Sequence, residues 1–342
     1  MRQTMHRVLT DSPILLRMAY SGLCKLEIPV EQVFAKAGLS PQDIDNSKRT
    51  PTSAQHGFWQ ELIDITQDEH IGLHLGESLP LYRGHVIEYL FTSSSTFGQG
   101  LERALAYQRL VSDGLRVKLV KTDAECYLVN DHLNKGDLLT LRHFTECLLV
   151  AVIRFFRFIT EGQFQPLYLC LNLEKGADLD EYREIYGCEV SLQEEQTRLY
   201  FDPEVLDMPM WQAEPELLRL HERLAADKLM QLARFDLINR VRQLIGENLE
   251  SGEVSLSFIS GLIGMPQRQL RTQLSEADTS FHQILSSYRE RLAKNLLADT
   301  QESIERIVYL TGFSEPSTFY RAFKRWTQET PIHYRQRKMT SQ

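Results

Sequence analysis

The chain has 342 residues, 42% of them hydrophobic and 25% charged, which is ordinary for a globular protein and enough for two domains with separate cores. Its formal net charge of -8 argues against a protein that coats nucleic acid regardless of sequence. The most apolar run, 148–159, is 12 residues long and carries Arg154 and Arg157, so it is too short and too charged to span a bilayer.

Cysteine usage indicates a reducing compartment. The five cysteines are scattered and never spaced as C-x-x-C; they are Cys24, Cys126, Cys147, Cys170 and Cys188. An odd number without pairs favours buried thiols over disulfides. Residues 1–11 lack the apolar core of a signal peptide, so we expect a cytoplasmic protein with no membrane partner.

Periodicity over the first 205 residues predicts an α+β domain, with helices around a small, mostly antiparallel sheet. Ser12-Pro13 is a good helix start, since serine caps a helix and proline suits its first turn. Further helical patterns cover 30–37, 51–66, 68–75, 84–90, 101–110, 138–160 and 179–186. Strand patterns cover 115–120, 125–130, 167–173 and 198–201, the first two forming an antiparallel pair around a turn at 122–124.

The stretch 214–232 predicts a connecting helix with many charges and regularly spaced leucines. Two interpretations stay open for it. The helix is either a simple spacer or an element that couples the domains or forms a dimer.

Two copies of one pattern organise the last third of the chain, at 256–274 and 304–323. Each has a short amphipathic stretch, a glycine followed by an apolar residue, and a second stretch starting at or near a proline. The glycines, Gly264 and Gly312, are 48 residues apart. Glycine permits the positive φ that a sharp turn needs, so each copy predicts a helix-turn-helix whose second helix can enter a major groove.

Further residues around these turns form a long signature. It includes Gly264-Met265, Arg268, Leu270, Gly312-Phe313-Ser314-Glu315-Pro316-Ser317, Phe319, Arg321-Ala322-Phe323-Lys324-Arg325-Trp326-Thr327 and Pro331. From Phe235 onward the chain thereby resembles the DNA-binding domain of AraC/XylS-type transcription regulators. Ser260 and Val308 depart from that pattern, which usually has alanine there, and Gln328 replaces a usual glycine.

The first half carries a looser resemblance. It is similar to the arabinose-binding-type N-terminal domain of one AraC subfamily. The similarity lies in the loop at 93–97, Leu101 with Ala104-Leu105, the strand pair, the long helix and Tyr186-Gly187. That resemblance implies effector sensing or dimerisation, without specifying a ligand.

The second helix of each motif supplies the candidate DNA-binding residues. In the first motif, Leu270 and Leu274 face inward, leaving Arg268, Arg271 and Thr272 outward, with Gln267 at the helix start. Arginine can read guanine through two hydrogen bonds, and the family resemblance assigns these three outward positions to bases. In the second motif we expect Pro316, Ser317, Tyr320, Arg321 and Lys324 to face outward and mainly to position the DNA backbone. We expect the two helices to meet successive major grooves, about 34 Å apart.

The charge distribution supports this placement. Residues 235–342 hold 14 Lys and Arg against 12 Asp and Glu, a net charge of +2, so the preceding 234 residues carry -10. Phosphate contacts therefore depend on local clusters, at Arg268/Arg271, Arg321/Lys324/Arg325 and Arg335/Arg337/Lys338.

Three other groups of residues could carry chemistry. His70 and His74 are four apart, as a metal pair could be, but no third ligand lies near in sequence and Gly72 weakens the helix, so a structural role is favoured. Arg142, His143, Glu146 and Cys147 could line a ligand pocket, although we favour a solvated helix face. Gly98-Gln-Gly100 lacks the Lys and Ser/Thr of a phosphate-binding loop, and we expect no metal and no cofactor.

The sequence therefore predicts a sequence-specific transcription regulator and not an enzyme. We place an effector-binding or dimerisation domain at 1–210, a connecting helix at 211–234 and a DNA-binding domain at 235–342. The expected partners are double-stranded promoter or operator DNA, a small-molecule effector, RNA polymerase and a second copy of the chain. The alternative is an enzyme of the Cys-dependent DNA-repair transferase type with an appended DNA-binding domain, which needs an exposed, activated thiol.

Overall fold

The computed structural model describes residues 9–44, 48–130, 138–173, 178–251 and 254–340. By internal contacts the chain divides into two compact units, Met1–Leu229 and Met230–Gln342. No helix among the described residues is both long and apolar enough to cross a membrane.

The first unit has the predicted α+β architecture. Its elements up to the long helix are β1 (Thr10–Asp11), α1 (Pro13–Lys25), α2 (Val30–Lys36), β2 (Thr50–Pro51), α3 (Ala54–Thr66), α4 (Ile71–Ser78), α5 (Val86–Thr92), α6 (Phe97–Ala106), β3 (Val117–Lys121), β4 (Cys126–Asn130) and α7 (Leu138–Ile159). Then follow β5 (Pro166–Leu171), α8 (Leu179–Tyr186), β6 (Glu189–Leu192), β7 (Thr197–Phe201) and α9 (Pro215–Asn248). Short 3-10 helices cover Pro41–Ile44, Gln108–Leu110 and Pro203–Asp207.

Five strands of the described chain form one sheet in the order β3-β4-β7-β5-β6. The predicted pairing of β3 with β4 is confirmed, from Lys121 opposite Cys126 to Val117 opposite Asn130. Only β5 and β6 run parallel among these pairs, joined through α8 as parallel strands require. The sequence pattern did not predict β6, because its polar–apolar alternation extends over only four residues, too few to distinguish a strand from a loop.

Helix α7 is the central element of the first unit. It contributes Ile153, Phe156 and Ile159 to a core that it shares with the sheet, and Cys147 to a second core formed with α1–α4. Helix α4 packs closely on it: a Cβ at Gly72 would lie 2.6 Å from the His143 carbonyl oxygen. Gly72, expected to weaken α4, instead permits this close approach of two helices.

The second unit is helical, and both helix-turn-helix motifs are confirmed. The first consists of α10 (Leu256–Ile263) and α11 (Gln267–Glu276), and the second of α13 (Ile304–Leu310) and α14 (Pro316–Thr327). Helix α12 (Phe281–Asp299) lies between the motifs in the chain, and α15 (Pro331–Thr340) follows the second. Helix α9 continues past the predicted end at residue 232 to Asn248, because its last turns bury Val241, Leu244 and Ile245 in the first motif's core.

Candidate nucleic-acid interface

The first motif buries one face of each of its helices. Helix α10 starts at Ser255, whose hydroxyl accepts a hydrogen bond from the Phe258 amide at 3.1 Å, and ends at Gly264, where φ is +76°. The Met265 amide then donates to the Ser260 carbonyl at 3.0 Å, which closes the turn. Helix α11 buries Leu270 and Leu274. Its opposite face is therefore presented outward.

The outward face of α11 carries the residues expected to contact DNA. Gln267, Arg268, Arg271 and Thr272 are all exposed. The Thr272 hydroxyl donates to the Arg268 carbonyl at 3.1 Å, within the helix. Among the described residues, neither Arg268 nor Arg271 has an ion-pair partner, so both guanidinium groups keep their donors for an external acceptor.

Helix α14 gives the second motif a similar outward face with different chemistry. Phe319 and Phe323 are fully buried, and Pro316, Ser317, Arg321 and Lys324 are exposed. Tyr320, expected to face outward, is only half-buried, because its ring packs edge-on against Phe319 with centroids 6.1 Å apart. The face thus offers two cations and two small residues.

The N-caps of these helices differ in whether a side chain bonds to the first backbone N–H groups, which can otherwise bind an anion. Ser255, Ser280 and Ser303 cap α10, α12 and α13, each accepting a backbone N–H. The N-caps of α11 and α14, Pro266 and Glu315, make no side-chain cap hydrogen bond. At the start of α11 the first backbone N–H groups therefore remain available, and a helix N-terminus is a ready site for phosphate. Helix α14 offers less, because Pro316 has no N–H and the Thr318 N–H already donates to the Glu315 carbonyl at 3.2 Å.

One helix fixes the two motifs relative to each other. Helix α12 supplies Ile284 to the core of the first motif, and Ala293 and Leu297 to the core of the second. The Trp326 indole on α14 also donates to the Ser286 hydroxyl on α12 at 3.0 Å. With 19 residues, α12 spans roughly 28 Å at the helical rise.

The two arginines of the third basic cluster, Arg335 and Arg337, are engaged within the protein. Arg337 pairs with Glu329 at 2.9 Å and lies over the Tyr334 ring, and Arg335 donates to the Glu302 carbonyl at 2.6 Å. These contacts hold α15 onto the second motif. Arg335 and Arg337 are therefore less available to an external anion than the exposed cations of α11 and α14.

The first unit contains an apolar cavity of about 250 Å³ between its helices and the sheet. Its walls include Phe58, Trp59, Leu79, Phe91, Phe144 and Phe155. Cys147 also lines it, and burial raises the pKa of that thiol to about 12. Of the four α7 residues weighed as a pocket, the cavity walls include only Cys147.

The prediction of a solvated face around Glu146 is wrong. Its carboxylate is fully buried and accepts from Arg142 Nε at 2.8 Å, His143 Nδ1 at 2.9 Å and the Tyr182 hydroxyl. Burial alone would raise the pKa of Glu146, but the hydrogen bonds from His143 and Arg142 and the Arg142 charge hold it below its usual value. Packing of α8 onto α7, which sequence periodicity does not show, encloses this group.

His74 lies between two carboxylates. Its Nδ1 is 2.6 Å from Asp68 and its Nε2 is 2.6 Å from Glu181, while His70 Nε2 is 3.5 Å from Glu181. Burial lowers the pKa of His74, but the hydrogen bonds to Asp68 and Glu181 outweigh it and raise the pKa overall. Among the described residues, no group of three or more His, Cys, Asp or Glu is arranged to hold a metal ion. The cluster joins α4 to α8.

Thiol chemistry is disfavoured at the buried and half-buried cysteines. Burial raises the pKa of Cys126 and Cys170, and that of Cys188 to about 11. A thiol with a raised pKa holds little nucleophilic thiolate at neutral pH. Cys24 is exposed on α1.

Comparisons with known proteins agree with both halves of the architecture. The family described as "Arabinose-binding domain of AraC transcription regulator, N-term" matches residues 28–210, and a "Helix-turn-helix domain" family matches 259–337. The "Ornithine utilization regulator" of Pseudomonas aeruginosa is 28% identical over 274 residues, covering 78% of each chain. An uncharacterized HTH-type transcriptional regulator of Mycobacterium bovis is 24% identical over 325 residues, covering 91% of this chain and 92% of that protein.

A solved structure shares the fold over nearly the whole chain. The transcriptional regulator CdpR from Pseudomonas aeruginosa is 20% identical, with a TM-score of 0.50, and the match covers 94% of this chain and 98% of that one. The arabinose-binding-type family match extends over more than half of the chain, and the helix-turn-helix match covers the two motifs described above. The chain therefore belongs to the AraC family of transcription regulators, with an arabinose-binding-type N-terminal domain and a helix-turn-helix DNA-binding domain.

Proposed function

We propose that this regulator recognises one particular double-stranded DNA sequence through both helix-turn-helix motifs. The observation that carries the proposal is the pair of second helices, α11 and α14. Each buries two large apolar side chains and presents outward cations that have no ion-pair partner among the described residues, and α11 also presents free backbone N–H groups at its start. Arg268, Arg271 and Thr272 read bases, and Gln267 meets a phosphate at the start of α11. Pro316, Ser317, Tyr320, Arg321 and Lys324 mainly position the backbone.

The N-terminal unit, in this proposal, binds a small effector and pairs two copies of the chain. The apolar cavity supports effector binding, since such a space inside one domain can exclude water from a ligand. Exposed apolar side chains on one face of α9 support pairing: Leu217, Leu220 and Leu224 are 49%, 59% and 44% exposed. Contact with RNA polymerase and a cytoplasmic location complete the proposal. The corresponding segments are 1–210, 211–234 and 235–342.

Selection of DNA from a randomised pool, near physiological salt, tests sequence recognition. The full chain and the fragment from Phe235 onward are compared, and we expect both to select one site with two short elements about a helical turn apart. A tandem copy of that site, needed only by the full chain, would support pairing through the N-terminal half. Failure of the full chain to select any sequence would overturn the proposal.

Sedimentation of the full chain over a range of concentrations tests pairing separately. We expect a concentration-dependent dimer that the triple variant Leu217→Gln, Leu220→Gln, Leu224→Gln weakens. A chain that stays monomeric at all concentrations, with and without DNA, would remove the pairing role.

The enzyme alternative rests on Cys24 alone among exposed cysteines of the described chain. Reaction of the native chain with a thiol-reactive probe at neutral pH tests this alternative. A fast-reacting cysteine would favour the transferase alternative.

A further inference from the structure

The cavity in the first unit is larger than close packing leaves empty. Protein interiors contain few voids bigger than a water molecule, and an apolar void costs stability in proportion to its volume. This one measures about 250 Å³ and lies between the two core clusters of the unit. A space of this size is therefore better explained by an occupant than by imperfect packing.

The polar groups on its walls are already engaged by the protein. The Asp11 carboxylate, 2% exposed, accepts from the Thr52 hydroxyl at 3.0 Å, Gln55 Nε2 at 3.1 Å and the Ser112 hydroxyl at 2.6 Å. The Gln55 amide oxygen accepts in turn from Trp59 Nε1 at 3.1 Å. Three donors of the protein thus already occupy this carboxylate.

The same holds for Gln108 and Tyr82. Gln108 donates to the carbonyls of Leu105 and Val117, at 2.9 and 3.0 Å, and accepts from the Val117 amide at 2.8 Å. The Tyr82 hydroxyl donates to His85 Nδ1 at 2.6 Å. Within the described residues, Thr50 is the one polar wall side chain with no side-chain hydrogen bond.

These walls select against charge. A carboxylate group in the cavity would lose its water and face the buried Asp11 carboxylate without gaining a donor, which is costly. An ammonium group would have to displace the Thr52, Gln55 or Ser112 donors from that carboxylate. Size sets a second limit: an engineered cavity of about 150 Å³ holds the six carbons of benzene, so this volume holds roughly ten carbons by the same ratio. One hydroxyl or carbonyl could bond to Thr50.

We propose that the effector of this regulator is an uncharged, predominantly apolar molecule of about naphthalene size, held in this cavity with at most one polar group at Thr50. The inference rests on the proposed function, because it specifies the ligand of the proposed sensing domain. A zwitterionic amino acid or a free sugar does not fit these walls.

The same geometry provides a route from the ligand to the connecting helix. Helix α5 lines the cavity with Ile87 and Phe91, and its other face contacts the start of α9. There Tyr89 stacks on His221 with ring centroids 5.2 Å apart, and the Glu214 amide donates to the Ser93 carbonyl at 3.2 Å. An occupied cavity would bias the position of α5 and, through Tyr89, that of α9.

Calorimetric titration of the full chain with 2-naphthol tests the proposal, with L-ornithine and L-arabinose as polar probes. We expect one site per chain for 2-naphthol and no heat from the polar probes. Ala151→Leu adds volume inside the cavity and should weaken 2-naphthol binding at least tenfold. Ala35→Leu, on the exposed face of α2, is the matched control and should leave binding unchanged.

The melting temperature of each variant shows whether it folds, and Ala104→Leu fills the cavity from α6 if Ala151→Leu does not. Three outcomes would each overturn the inference. The chain does not bind 2-naphthol, the filled and control variants bind it equally, or the chain binds ornithine or arabinose and the filled variant does not. DNA selection is measured on the same samples. Intact selection without 2-naphthol binding refutes only the ligand class, whereas 2-naphthol binding without selection refutes only the DNA-binding proposal.

Discussion

Arg289 of α12 donates a hydrogen bond from Nη2 to the carbonyl oxygen of Gly312, at 2.7 Å, and its guanidinium lies 4.5 Å from the centre of the Phe313 ring. Burial lowers the pKa of this arginine. The contact ties the linking helix to the turn of the second helix-turn-helix. The turn of the first motif, at Gly264, has open space around the glycine, so the two copies of one sequence pattern are held differently.

Replacing Arg289 should disturb the second motif more than the first. Arg289→Ala removes a charge-assisted hydrogen bond, and we expect about 2 kcal/mol less unfolding free energy and weaker selection of the second half-element. Arg291→Ala, an exposed arginine on the same helix, is the control. Urea unfolding and DNA selection measure the two effects. Equal behaviour of the two variants would show that the contact does not position the turn.

Alanine at the two turn glycines should give unequal losses of stability. Both glycines have positive φ, +76° at Gly264 and +69° at Gly312, so each substitution costs roughly 1–2 kcal/mol of backbone strain. At Gly312 the new Cβ would also lie 2.9 Å from the Leu249 carbonyl oxygen, whereas at Gly264 nothing lies within 4 Å. We expect Gly312→Ala to destabilise the chain clearly more in urea unfolding. Similar losses at both sites would contradict this reading of the packing.

Substitutions on the outward faces should separate base reading from backbone contact. Arg268→Ala or Arg271→Ala should cost about 1–3 kcal/mol of affinity for the selected site and much less for random DNA. Arg321→Ala or Lys324→Ala should weaken both alike and reduce the salt slope by about 1. Titrations at several salt concentrations measure this. Arg306→Ala, exposed on α13, is the control and should change neither.

Acid should destabilise the first unit through His85. Burial, with the nearby charges of Lys228, Arg49 and Arg17, lowers the pKa of His85 to about 4 from an ordinary 6.5. The unfolded chain therefore binds the proton more readily, so this stability is present above pH 6.5 and is lost as the pH falls toward 4. The loss reaches at most about 3 kcal/mol.

Asparagine tests that assignment. In His85→Asn the side-chain oxygen can still accept from Ile87 N and cap α5, but it cannot take up a proton. Urea unfolding between pH 4 and 7 should show a flatter dependence on pH in this variant. His74 acts in the opposite direction, since its raised pKa favours the folded state at low pH. An unchanged pH profile in His85→Asn would exclude His85 as the source.

Breaking the stacked contact between Tyr89 and His221 should give a variant that still binds the ligand but whose DNA binding no longer responds to it. Tyr89→Ala removes the contact with α9 and leaves the cavity wall formed by Ile87 and Phe91. We expect unchanged 2-naphthol affinity and loss of the ligand's effect on DNA binding. Tyr20→Ala, a half-exposed tyrosine on α1, is the control. A full ligand response in Tyr89→Ala would rule out this route.

Local sequence alone determined the parts of this protein whose structure depends on short-range interactions. The helix-turn-helix pattern needs only apolar spacing within each helix and a glycine at the turn, so Leu270, Leu274, Phe319 and Phe323 identified the buried faces correctly. The strand pair at 117–130 followed from alternation and a short turn for the same reason.

Tertiary structure decided what depends on residues far apart in the chain. Glu146 is buried because Tyr182, 36 residues away in the chain, packs over it, and Asp11 because Ser112, 101 residues away in the chain, bonds to it. The sequence places Arg335 and Arg337 in a basic cluster expected to contact phosphates. In the structure, Arg335 bonds to the Glu302 carbonyl and Arg337 pairs with Glu329. The cavity is bounded by side chains from Asp11 to Phe156, and periodicity reports only which side of an element is apolar, not whether facing elements leave a space.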